Sequence, residues 1–317
     1  MTDLQVPPVT LGTANLGHLY GRMSEEDAER LLETAWSLRI RAFDTAPHYG
    51  LGLAERRLGR FLAGKPRDEV IVSTKVGRLI RPAEQPRERD DEGYDVPGDV
   101  TRVWDLTADG VRRSLDESLE RLGLDRVDVL YVHDPERSDL DRGVREALPA
   151  LVRLRDQGVV DAVGMGSMAV PALEAAAVSG LPDLLMVAGR YTLAEQPVAD
   201  RMLPACAEHG IRIVAASVLN SGLLATDEPS AASPYDYAPA PPDRLERALA
   251  IRDVCRRFGV ALPTAALRFP ARNPLVASTV IAADTREQLV ETHGRLHEEV
   301  PEALWAALEA EGLLAAA

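Results

Sequence analysis

The sequence predicts one α/β domain over residues 1–317, a closed (β/α)8 barrel. Short apolar runs alternate with longer amphipathic segments along the chain, the pattern of strands flanked by helices in a parallel sheet. The alternation counts to eight units, which favours a closed barrel over an open doubly wound sheet. No linker divides the chain and no fixed-period repeat is visible. Length alone would also permit two domains of ~150 residues.

The first unit pairs a strand over Val9 to Ala14 with a helix from Ser24 to about Leu38. Ser24 reads as its cap, with Asp27 three residues on. Arg41 to Thr45 is the second strand and Leu53 to Leu62 the second helix. Val70 to Val76 (VIVSTKV) is the third strand. Thr107 to Leu122 is helical, with Val111, Leu115, Leu119 and Leu122 on one face. Val127 to Val132 is the fourth strand and Leu140 to Arg155 the next helix. The rhythm repeats with strands at Ala162 to Met165, Leu184 to Val187, Ile211 to Ala215 and Ser278 to Ala282. Helices are expected at Val170 to Val178, Val198 to Glu208, Leu245 to Phe258 and Arg286 to Leu296. A further helix, Glu302 to Leu314, trails behind.

A formal charge of −14 disfavours nucleic acid and anionic membranes as partners, and a small-molecule substrate is the expected one. Oligomeric state has no signature here. Cys206 and Cys255 are far apart and carry no metal-ligand spacing, so no metal is expected and two buried free thiols are favoured. MTDLQVPPVT has no basic segment followed by an apolar run, and no apolar stretch approaches the ~20 residues that span a bilayer. The expected location is the cytoplasm.

Two connections are too long to be plain turns, Gly77 to Asp105 and Val218 to Arg244. In a barrel both fall on the C-terminal face, where active sites sit. Their aromatics, Tyr94, Trp104, Tyr235 and Tyr237, favour substrate loops in a chain with 4% aromatic residues. Trp104 and Tyr235, with Tyr20 after the first strand, are the candidate substrate contacts.

Polar residues gather at the same ends. The second strand delivers Asp44, with Tyr49 close behind. The third delivers Lys75, and the fourth His133 and Asp134. A lone lysine or histidine among apolar residues is more often structural; several on three successive strands are not. A phenol with a pKa near ~10 exchanges protons poorly at neutral pH. A buried ammonium beside it would lower that value, a part that suits Lys75, with Asp44 holding the lysine charged. His133 can donate to a substrate oxygen. Such a set fits hydride transfer between a carbonyl or carbinol carbon and a nicotinamide.

DTAPHYGLGLAERRLG, STK and LYVHDP resemble the signature segments of the aldo-keto reductase superfamily, and the resemblance runs from LGTANLG to ADTREQL. It implies a (β/α)8 barrel and a catalytic tetrad of Asp44, Tyr49, Lys75 and His133. RSLDESLERLGLDRVDVLYVHDP, VAGRYTL, LNSGLLA and YAPAPP are similar to the L-fucose or D-threo-aldose 1-dehydrogenase branch. That likeness implies NAD(P)-linked oxidation of an aldose at C1 to a lactone, with Tyr49 as proton donor and acceptor. The alternative is an NAD(P)H-dependent aldehyde or ketone reductase, with a pyridoxal-type or secondary-metabolite substrate. A non-catalytic binding barrel is disfavoured by the intact tetrad.

No GxGxxG is present: Gly50-Leu51-Gly52 and Gly164-Met165-Gly166 lack the third glycine. By resemblance, NAD or NADP would contact Gly12, Thr13, Ser167, Ser217, Leu219, Gly222 and the segment carrying Ala282, Arg286, Gln288 and Glu291. The chain departs from the family at the nicotinamide end. Met168 follows Ser167 where Asn is common, VAGRY lacks the usual Gln, and Ala216-Ser217 lacks the stacking Tyr. NADP-preferring relatives carry cations where this chain has Ala282 and Gln288, so NAD is slightly favoured. Arg286 lies close enough to weaken that preference.

Overall fold

A computed structural model describes residues 4–315. Eight parallel strands close into a barrel in chain order. They are Val9–Gly12, Ala42–Asp44, Ile71–Val76, Val129–His133, Ala162–Ser167, Leu184–Ala188, Arg212–Ala216 and Val276–Ile281. Closure comes from the first strand, which pairs with both the second and the eighth, Thr10 facing Ala42 and Val280.

Side chains alternate along each strand, and this sorts the core into two layers. Phe43, Val72, Leu130, Val132, Val163, Leu185 and Ile213 point outward and pack with the helices. Tyr131, Met186 and Val214 fill the barrel, beside a Thr10–Ser278 hydroxyl pair at 2.8 Å. Lys75 pairs in register with Tyr131, and Asp44 with Ser73, so the polar residues at these strand ends share the interior side. Thr74, between Ser73 and Lys75, faces out and donates to buried Glu55 at 2.8 Å.

The cap at Ser24 behaves as the sequence predicts, while Thr107, expected as the first residue of its helix, is that helix's cap. Ser24 accepts from the Asp27 amide at the start of Glu25–Ser37, and Thr107 from Gly110 at the start of Ala108–Leu122. The helix at Leu53–Leu62 has the expected bounds.

Five features differ. The Gly77 to Asp105 connection is an ordered antiparallel hairpin, Arg78–Arg87 against Gly98–Trp104. Its charges and three prolines hide any strand pattern, and proline is tolerated at a sheet edge. An unforeseen helix, Leu262–Arg268, precedes the last strand, which begins at Val276 and ends before Ala282. A π turn over Gly143–Ala147 interrupts the helix expected from Leu140 to Arg155. The helix expected from Val198 begins only at Met202.

The helices Leu53–Leu62 and Ala108–Leu122 touch at Gly59, where an added Cβ would stand 2.2 Å from the Leu122 carbonyl oxygen. Gly59→Ala is therefore expected to cost about 1–3 kcal/mol, read as a lower urea midpoint. An unchanged midpoint would contradict this close approach.

Candidate active site

The four predicted residues meet at the C-terminal mouth of the barrel. Lys75 Nζ donates to Asp44 Oδ2 at 2.6 Å, to the Thr45 carbonyl at 2.9 Å and to Tyr49 Oη at 3.0 Å. Three acceptors thus use the three ammonium hydrogens, which is what a fully buried lysine requires. Ser73 donates to the other Asp44 oxygen at 2.7 Å. The His133 ring stands edge-on to Tyr49, centroids 5.9 Å apart. Tyr49 comes from the turn after the second strand, where Gly50 packs tightly on Gly17 and no side chain would fit.

One expectation fails. Lys75 does not pull the Tyr49 hydroxyl down; burial, and then the Asp44 carboxylate, push it well above its ordinary value. Lysine and aspartate form a neutral pair, so little net positive field is left to favour the phenolate. Burial, with Arg78 and Lys75 nearby, pushes the His133 imidazole well below its ordinary value. The mouth therefore holds a neutral phenol beside a neutral imidazole at neutral pH. Both can donate a hydrogen bond to one substrate oxygen.

The hairpin forms one wall. Leu51, Tyr94 and Val96 pack together and hold its tip against the Tyr49 turn. Arg102 pairs with Asp90 at 2.5 Å, both buried, and donates to the His48 carbonyl at 3.0 Å. His48 itself stacks edge-on against both Tyr94 and His133. His48, Arg78, Arg102 and Asp90 escaped sequence reasoning. Only His48, inside DTAPHYG, left a visible signal.

The candidate substrate residues separate. Trp104 is half-buried, with the Arg78 guanidinium over its ring at 4.5 Å. Tyr20 is 54% exposed; partial burial, then Tyr237 and Asp284, push its hydroxyl up to about 12. Tyr235 is a correction: buried, it donates to Glu195 at 2.5 Å and so anchors the loop after the seventh strand. Tyr237, two residues on, is the exposed aromatic electrostatically coupled to Tyr49.

The expected cofactor positions line the opposite rim. Gly12 faces Val280, where a Cβ would come within 2.9 Å. Thr13 is spent on the Asp44 carbonyl at 2.9 Å, and Ser167 on Glu136 at 2.6 Å. Ser217, Asn220, Ser221 and Gly222 all have positive φ, an unusual run for residues other than glycine, with Leu219 inside it. Ala282 is exposed. Gln288 accepts from the Asp284 amide at 2.8 Å, and Glu291 pairs with Arg295 at 2.8 Å. Arg286 makes no ion pair among the described residues. Asn220 went unpredicted: it is 1% exposed, and its Oδ1 has no hydrogen-bond partner among the described residues. A buried orphan acceptor on this rim fits a ligand bearing an amide donor, such as a nicotinamide dinucleotide.

A barrel with a phenol, an ammonium–carboxylate pair and an imidazole at its mouth defines an oxidoreductase acting on C–OH or C=O groups. The chain belongs to the aldo/keto reductase family, whose model matches residues 8–311. It is 50% identical over 308 residues to a D-threo-aldose 1-dehydrogenase of a Pseudomonas species, covering 96% of this chain and 94% of that protein. It is 36% identical to a pyridoxal 4-dehydrogenase of Microbacterium luteolum, with 99% and 96% covered. An aldo-keto reductase structure from Bacillus halodurans superposes with a TM-score of 0.77 at 21% identity, covering 100% and 95%, a likeness of fold. Dehydrogenases of this family use NAD(P). Among the described residues no helix is long and apolar enough to cross a membrane, and no cluster could hold a metal.

Asp44→Ala would strand the Lys75 ammonium, whose side chain is 2% exposed. A loss of about 3–5 kcal/mol is expected in urea or thermal unfolding. A variant as stable as the parent would mean that the pair contributes little.

Proposed function

We propose that this chain oxidises an aldose of the D-threo type at C1 to the lactone, with Tyr49 as the proton-transfer group. The observation that carries the reading is the 3.0 Å contact of Tyr49 Oη with Lys75 Nζ beside neutral His133. The 50% identity to a D-threo-aldose 1-dehydrogenase supplies the substrate class. NAD(P), when bound across the mouth, supplies the hydride acceptor. Tyr49 and His133 hold the C1 oxygen. As the C1–H bond breaks, its electron pair leaving C1 as hydride, and the C1=O double bond forms, the hydroxyl proton passes to Tyr49 in its phenolate form. Lys75 and Asp44 hold the phenol in place, and Asn220 offers its free oxygen to the cofactor's amide. NAD is slightly favoured over NADP, because Ala282 brings no cation and the Gln288 side chain is committed to the Asp284 amide.

A reductase of an aldehyde or ketone is the second reading. It draws on the raised Tyr49 value, which favours the protonated donor, and on the likeness to a pyridoxal 4-dehydrogenase.

A screen of aldoses, pyridoxal and simple aldehydes with both cofactors separates these readings. Turnover of L-fucose with NAD as the better cofactor is expected; a clearly higher kcat/KM with NADP would sink the preference. Tyr49→Phe is expected to lower turnover by about 10²–10⁴-fold while NADH binding, followed by fluorescence, survives. Because the oxidative direction needs a deprotonated Tyr49, its kcat/KM should climb with pH into the alkaline range. The reductive direction needs the phenol and should stay level there. In the reductive direction His133, held neutral, should add no limb near pH 6.5; a steep loss of reductive activity below that pH would contradict its assignment.

A further inference from the structure

The mouth holds one carboxylate that the chemistry above does not use. Asp134 follows His133 at the end of the fourth strand. Its φ of 41° lies in the left-handed region, and its amide bonds the Gly166 carbonyl at 2.9 Å. The turn brings its side chain to the rim beside the catalytic imidazole, with Oδ2 3.5 Å from His133 Nε2. Arg78 Nη2 grips the same oxygen at 2.5 Å. Arg78 is 2% exposed; Asp134 is the one hydrogen-bond acceptor of its guanidinium among the described residues, and Glu92 lies 3.7 Å from Nη1. The Asp134 side chain is 19% exposed, and its Oδ1 carries no hydrogen bond among the described residues. One oxygen is thus clamped from behind and the other is presented at the mouth.

We propose that Asp134, held by Arg78, is the specificity-determining group that accepts a hydrogen bond from the hydroxyl on the carbon next to the reacting one. This rests on the aldose reading above. A substrate oxygen bonded to both Tyr49 Oη and His133 Nε2 brings its neighbouring carbon within reach of a group 3.5 Å from that nitrogen. A carboxylate only accepts. It gains a charge-assisted bond from a hydroxyl donor, and it is left desolvated without one by a simple aldehyde or ketone. The geometry therefore selects α-hydroxy carbonyl compounds and their cyclic hemiacetals. It also disfavours substrates with an anionic group at that carbon.

The rival role for Asp134 is structural, tying the hairpin to the fourth strand through Arg78. The test compares kcat/KM for L-fucose and 2-deoxy-L-fucose in the full-length enzyme, Asp134→Asn and Asp134→Glu. Asparagine tolerates the left-handed backbone; glutamate keeps the charge for Arg78 but moves the acceptor. The parent enzyme should prefer L-fucose by roughly 10–100-fold, and the preference should shrink several-fold in both variants. A purely structural role would lower both sugars alike and leave the ratio intact. If the parent oxidises L-fucose and neither variant changes the ratio, the assignment of Asp134 is overturned and the aldose reading stands. If the parent oxidises neither sugar, the aldose reading fails and this proposal with it.

Discussion

The contact between Lys75 and Asp44 governs the rest of the site. An ammonium and a carboxylate, both buried, are tolerable only when paired and fully hydrogen-bonded. Asp44, the Thr45 carbonyl and Tyr49 supply Lys75, and Ser73 completes Asp44. Satisfying that pair fixes the end of the second strand against the third and holds the Tyr49 hydroxyl at one point in the mouth. The scaffold outside serves the same end. Thr74 is tied to Glu55, which Arg121 grips in turn at 2.5 Å, so the strand carrying Lys75 is anchored on both faces.

The neutrality of that pair has a chemical consequence. A free ammonium beside the phenol would favour the phenolate, but a compensated one leaves burial and the Asp44 carboxylate to dominate. In the proposed reaction Tyr49 is then a proton donor at rest, and its acceptor role depends on alkaline conditions. His133, kept neutral by burial and the nearby cations, would act there by hydrogen bonding rather than by charge. In the proposed reaction, proton transfer and oxygen binding are thereby divided between two rings, one standing edge-on to the other.

Around this centre the two long connections do different work. The hairpin after the third strand is pinned by Leu51, Tyr94 and Val96 and by the Arg102–Asp90 pair. It is a rigid wall that brings Arg78 to Asp134. The loop after the seventh strand is held by Tyr235 on Glu195 and by Arg190 on Asp236, at 2.6 Å. It sets Tyr237 at the mouth and leaves Asn220 with an unspent acceptor.

The sequence by itself determined the barrel and the strand ends from which Asp44, Lys75 and His133 project. Both follow from local periodicity: apolar runs recur once per unit, and a polar residue ending such a run must leave at the mouth. The cap at Ser24 was legible for the same local reason. What only the tertiary structure decided was everything made by residues distant in the chain. The hairpin was hidden because its pairing, not its composition, makes it a sheet. Arg78 and Asp134 are 56 residues apart in sequence, and no spacing rule joins them. The direction of the Tyr49 shift was misread because it depends on net field and burial, which a list of neighbouring residue types does not contain. Tyr235 and Tyr237 could not be told apart in sequence, since their roles depend on where Glu195 and the mouth lie in space.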